Sequence, residues 1–118
     1  MAFRFENLEI WKLAIEYADE LYDVASHFPP EEKFALTDQL KRAVVSISNN
    51  IAEGSGSATT KNFSSFLDIS IKSTLETVNI LYFAEKRKYI IESQRQKLYL
   101  KAELLIKKIR AFKKTISY

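Results

Sequence analysis

Arg42, Ser46, Asn50 and Glu53 are the residues of this chain best suited by type to do chemistry: a guanidinium, a hydroxyl, an amide and a carboxylate within one stretch, QLKRAVVSISNNIAEG, Gln39 to Gly54. A hydrolase could use such groups, with Ser46 as nucleophile. At about 100° per residue, Gln39, Arg42, Ser46, Asn50 and Glu53 form a continuous polar stripe, a quarter-turn from an apolar stripe of Leu36, Leu40, Val44, Ile47 and Ile51. Glu53 then stands two turns from Ser46, about 10 Å away by helical rise alone, too far to act as its base. The stripe is therefore read as a structural polar network or an interface with another helix. Ser73 and Glu76, which interrupt an apolar patch farther along, are assigned to the same network, with Arg42 expected to pair with Glu76.

Other candidates for chemistry are few. The sole histidine, His27, sits beside Pro29-Pro30 with no cysteine or second histidine to share a metal, and reads as a surface turn residue. Glu16 with Glu20, and Glu31 with Glu32, lack the apolar surroundings that bring a carboxyl into the acid-base range. The loop GSGSATT, Gly54 to Thr60, has neither a preceding strand nor the Gly-Lys-Ser/Thr ending that cradles a nucleotide. No catalytic residue, metal site or cofactor is assigned, and the chain is expected not to be an enzyme.

The elements that must position these residues are helical. A chain of 118 residues, 47% hydrophobic, can bury one sizeable core, so residues 1–118 are expected to form a single domain. Two glycines and two prolines leave little punctuation for a β-rich fold. The opening MAFRFENLEI carries acids and no sustained apolar run, and there is no cysteine; a cytoplasmic protein without a membrane partner is the expectation.

Asn7 is expected to cap a first helix that buries Leu8, Trp11, Ile15, Ala18 and Tyr22. Pro29 ends it and Pro30 opens a second helix running to Glu53, with an irregular first turn expected near Phe34 and Gly54 as its left-handed terminator. A third helix, from about Lys61 to Lys88, is expected to bury Phe63, Phe66, Leu67, Ile71, Leu75, Val78 and Tyr82, leaving Ile69, Ile80 and Phe83 as a second patch for a subunit interface. Ser93 is expected to cap a fourth, whose stripe is Leu98, Ala102, Leu105, Ile109, Phe112 and Ile116. Short connections between four amphipathic helices predict an all-α, antiparallel up-down-up-down four-helix bundle.

Charge is unevenly spread. Residues 1 to 85 hold seven Lys/Arg and thirteen Asp/Glu, whereas residues 86 to 118 hold eleven and two. On the last helix Lys107, Arg110 and Lys114 form one ridge and Lys97, Lys101 and Lys108 another, with Arg87 in the turn before it. These seven are the candidate nucleic-acid contacts, and such binding would be tolerant of sequence and weaken steeply with salt. The alternative is that lysines near a helix C-terminus suit its dipole and confer solubility.

At these residues the chain resembles the bacterial 23S rRNA intervening-sequence proteins. Phe5, Leu8 and Trp11 are similar to that family's opening Phe-x-x-Leu-x-x-Trp segment. Glu32 through Leu36, then Gln39 to Arg42, Ala43, Ser46, Ile47, Asn50, Ile51, Ala52, Glu53 and Gly54, resemble its signature, continued by Phe63, Phe66, Leu67, Ser73 and Glu76. Lys72 stands where the family often has glycine. The resemblance implies a four-helix bundle that assembles into a ring-like homo-oligomer, commonly a pentamer. It also implies kinship with accessory proteins of diversity-generating retroelements, which bind a reverse transcriptase and nucleic acid. The expected function is thus a non-enzymatic, homo-oligomeric bundle that binds RNA, DNA or a nucleoprotein partner through its basic last helix; the alternative is a protein-interaction scaffold or accessory subunit that does not touch nucleic acid.

Overall fold

The computed structural model describes residues 2–116, and among them the fold is four helices without a strand: α1 (Glu9–Ala25), α2 (Leu36–Ser55), α3 (Thr60–Lys86) and α4 (Glu92–Ile116). Each helix packs on the next and α4 returns to α1, closing a four-cornered bundle of 44 × 23 × 23 Å around one apolar core. The α2–α3 seam is the most extensive of the four and the α1–α4 seam the slightest. No helix among the described residues is long and apolar enough to cross a membrane.

α1 is amphipathic in a different register from the one its sequence first offers. Its buried residues are Ile10, Ala14, Tyr17, Leu21 and Ala25; of the expected stripe, Leu8, Trp11 and Ala18 are half-buried, and Ile15 and Tyr22 are exposed. Two apolar stripes lie side by side on this helix, and the one with two alanines and a hydroxyl that finds a buried partner faces the core. Asn7 does not cap it. Residues Arg4–Asn7 form a separate 3₁₀ turn whose Phe5 ring lies 5.0 Å from that of Trp11, and Leu8 takes the cap position.

Pro30–Glu32 likewise forms its own 3₁₀ turn, and α2 begins only after a break at Ala35, leaving Phe34 exposed. Gly54 is not the terminator of α2. It lies inside the helix, buried and without positive φ, because a Cβ there would stand 2.7 Å from Phe66 Cβ and 2.9 Å from Phe63 Cδ1. The glycine serves close approach of α3, whose N-terminus is capped by Thr59, its hydroxyl accepting from the Asn62 N–H at 3.1 Å.

α3 buries small polar residues where aliphatics were expected. Ser70, Ser73, Thr74 and Thr77 face inward, as does Ile80; Leu75 and Tyr82 are exposed, and Val78 and Phe66 are half-buried. The short side chains let α2 and α3 draw together, and each hydroxyl has a partner: Ser70 Oγ donates to the Ile47 carbonyl at 2.9 Å, Thr74 to the Ser70 carbonyl and Thr77 to the Thr74 carbonyl. Lys72 is exposed and does not hinder this approach.

The α3–α4 turn is a Schellman closure, with Tyr89 N–H donating to the Ala84 carbonyl and Lys88 N–H to that of Glu85. Lys88 occupies its left-handed position at φ 65°, a conformation that costs a side-chain-bearing residue about 1 kcal/mol. Lys88→Gly is expected to raise the melting temperature by a few degrees in a thermal scan, a gain of roughly 0.5–1 kcal/mol. α4 then starts at Glu92, with Gln94 Oε1 accepting from the Ile91 N–H at 3.0 Å, so Ser93 is not its cap.

Candidate interaction surfaces

The polar stripe of α2 divides into two parts. Ser46 and Asn50 are half-buried against α3: Ser46 Oγ lies 2.9 Å from Ser73 Oγ, and Asn50 Nδ2 donates to the Ser46 carbonyl at 2.8 Å and to Ser46 Oγ at 3.0 Å. Gln39, Arg42, Glu53 and Glu76 are exposed. Gln39 Nε2 reaches Glu76 Oε2 at 3.4 Å, whereas Arg42 pairs along its own helix with Asp38 at 2.9 Å, not with Glu76. An i, i+4 partner one turn away is always in reach, and an exposed pair of this kind contributes little stability. Ser46 has a serine and an amide as its neighbours, neither of them a base, so the arrangement fixes helix packing and activates no nucleophile.

His27 Nδ1 lies 2.9 Å from the Asp23 carbonyl, closing the last turn of α1. No group of three His, Cys, Asp or Glu among the described residues could hold a metal ion.

The basic residues of α4 fall on two flanks. Toward α1, Lys101 pairs with Glu20 and Lys108 with Glu9, while Lys97 borders a shallow cleft with Glu20 and Asp23. Toward α3, Lys113 pairs with Asp68. Lys107, Arg110 and Lys114 remain on the outer side, and none has an ion-pair partner among the described residues. Arg87 stands exposed in the turn beside Tyr89, whose hydroxyl donates to Glu32 Oε2 at 2.7 Å.

Lys107, Arg110 and Lys114 share a feature that their spacing alone did not reveal: they edge a groove of about 630 Å³ between α3 and α4. Its floor is apolar, formed by Leu75, Val78 and Ile106, with Tyr99 also in its lining and Glu103 the acid there. Tyr99 packs edge-on against Tyr82 at 6.4 Å, and the Arg95 guanidinium sits 4.6 Å over Tyr82 while pairing with Glu85 at 2.7 Å. The exposed Leu75 and half-buried Val78, expected in the core, are what make this floor. Their i, i+3 spacing was visible in the sequence; the direction they face was not.

The model of the 23S rRNA-intervening sequence protein family matches residues 6–111. No curated protein matches the sequence. Among solved structures, the chain is similar to the crystal structure of a protein with unknown function from the S23 ribosomal protein family of Bacteroides thetaiotaomicron, with a TM-score of 0.81 and 23% identity over 89% of this chain and 98% of that one. That identity carries the fold alone; the family match, which spans most of the sequence, carries more. The chain belongs to the 23S rRNA-intervening sequence protein family.

Proposed function

We propose that this chain works by binding and not by catalysis, as a self-associating interaction subunit whose α3/α4 groove takes a helical protein segment. The observation that carries this reading is the conjunction of an apolar floor, Leu75, Val78 and Ile106, with the cations Lys107, Arg110 and Lys114, which form no ion pair among the described residues. Such a groove suits an amphipathic helix with apolar anchors and an acidic flank. A phosphate backbone would use the cations and leave the floor wet. The ring-like homo-oligomer implied by the family resemblance fits an interaction subunit of this kind.

A labelled amphipathic peptide with leucines at i, i+4 and glutamates on one flank tests the reading. Binding measured by anisotropy is expected to fall at least tenfold in Leu75→Lys and in the triple variant Lys107→Glu, Arg110→Glu, Lys114→Glu, with part of it surviving high salt. Equal binding by all three proteins would refute the groove.

A second reading, nucleic-acid binding through the basic surface, is favoured by Arg87 and Lys97, which like the ridge of three are exposed and form no ion pair among the described residues. It expects RNA or DNA mobility shifts that vanish steeply with added salt and with reversal of these charges.

A further inference from the structure

The groove between α3 and α4 has a direction. Along α4 its lining runs Tyr99, Glu103, Ile106, Lys107, Arg110 and Lys114, which at 1.5 Å of rise per residue spread over about 22 Å. The three cations take the last stretch of about 10 Å. The acid lies ahead of them, toward Tyr99.

Neighbouring charges do not blur this polarity. At the cationic end Asp68, the acid that α3 offers, is taken by Lys113, and at the aromatic end Arg95 is held by Glu85 while its guanidinium lies over Tyr82. Glu103, Lys107, Arg110 and Lys114 are exposed and form no ion pair among the described residues. Backbone dipoles do not set the polarity either: Phe63 meets Phe112 and Tyr82 meets Tyr99, so α3 and α4 are antiparallel and the positive pole of each lies beside the negative pole of the other. The side chains decide.

A guest helix is itself polar, positive at its N-terminus and negative at its C-terminus. We infer that the groove binds its guest in one orientation, parallel to α4 and antiparallel to α3, with an acidic C-terminal half over Lys107, Arg110 and Lys114 and a basic N-terminal half beside Glu103. The partner this fits is a protein helix of about fifteen residues, with apolar anchors along one face and its acids gathered in the last two turns. Turned end for end, the same helix sets its cations and its positive pole against the three cations of α4 and its acids against Glu103. Glu103 is the specificity-determining residue of the site, because it is what repels the acids of a reversed guest. This rests on the interaction-subunit reading and adds the polarity of the partner.

The experiment compares two stapled peptides of that length, blocked at both ends and sharing leucines at i, i+4 and i+8. One has lysines in its N-terminal half and glutamates in its C-terminal half; the other has the halves exchanged. The staple removes the difference in helicity that charge order alone would cause. Anisotropy is expected to show the wild type binding the C-terminally acidic peptide at least fivefold more tightly than its counterpart. Glu103→Lys is expected to bring the two within about twofold, and the exchange variant Glu103→Lys, Arg110→Glu, Lys114→Glu to invert their order, with circular dichroism checking that each variant keeps its helices. A wild type that binds both peptides alike, or prefers the other one, overturns the inference and leaves the interaction reading standing. A preference that the exchange variant retains does the same. Binding of neither peptide by the wild type sinks the interaction reading with it.

Discussion

Gly54→Ala is expected to destabilise the bundle by about 1–3 kcal/mol, although alanine in a helix interior is ordinarily preferred to glycine by about 1 kcal/mol. The reason is distance. The added methyl would meet Phe66 Cβ at 2.7 Å and the Phe63 ring at 2.9 Å, and although the ring can turn aside, a Cβ moves only with its backbone. α2 and α3 would have to separate at the point where Phe63, itself packed edge-on against Phe112 at 5.5 Å, anchors α4 as well. Urea denaturation is the measurement: the midpoint should fall. A midpoint that rises, as helix propensity alone dictates, would show that the two helices do not approach as closely as described.

Loss of stability in strongly alkaline solution is the second large effect, and it belongs to Tyr17. Its hydroxyl is buried between α1 and α3, 2.9 Å from Thr77 Oγ1. Thr77 already donates its proton to the Thr74 carbonyl, so Tyr17 is the donor in that contact. Burial, the dominant cause, pushes the phenol from its ordinary value of 10.0 up to about 12. The folded state thus holds the proton more tightly than the unfolded chain. The stability this confers is fully present below pH 10 and is lost as pH rises from about 10 to about 12, a swing on the order of 2–3 kcal/mol. Tyr17→Phe should cost about 1 kcal/mol at neutral pH for the lost hydrogen bond. It should also flatten the alkaline limb, so the two proteins' stabilities converge and then cross as pH climbs. The two proteins differ in one hydroxyl alone, so the difference between the two curves isolates Tyr17. Parallel curves up to pH 12 would place the Tyr17 hydroxyl in water.

Much of the architecture was legible in the sequence, because number and length of helices follow from periodicity and from scarce glycine and proline. Which stripe of each helix turns inward was less so. On α1, Leu8, Trp11, Ile15, Ala18 and Tyr22 have the larger apolar surface, yet Ile10, Ala14, Tyr17, Leu21 and Ala25 are buried, since helix approach favours alanines and Tyr17 finds Thr77 inside. On α3 the inner face includes serines and threonines that hydropathy reads as solvent-facing; their hydroxyls are satisfied by helix carbonyls, a partner that every helix supplies and no sequence pattern marks. Gly54 was visible as a punctuation mark and read as a stop, whereas what it permits is contact.

The interaction surfaces show the same division. Lys107, Arg110 and Lys114 stand out as a ridge from their spacing, and Ser46, Asn50 and Ser73 do come together at one helix crossing. Arg42 was expected to reach Glu76, and the closer Asp38 takes it instead. The groove beside the ridge required knowing which way Leu75 and Val78 point, and that depends on α4 packing against one flank of α3.

The unequal seams of the bundle decide where it would tear. α1 and α4 share the thinnest one, bridged by the half-exposed pairs Lys101–Glu20 and Lys108–Glu9, which screening by salt would loosen. α2 and α3 are joined by a tight turn and locked by Ser70, Ser46 and Gly54. A partial opening therefore starts at that seam and loosens the outer helices α1 and α4, while the central α2–α3 hairpin holds together as a cooperative unit.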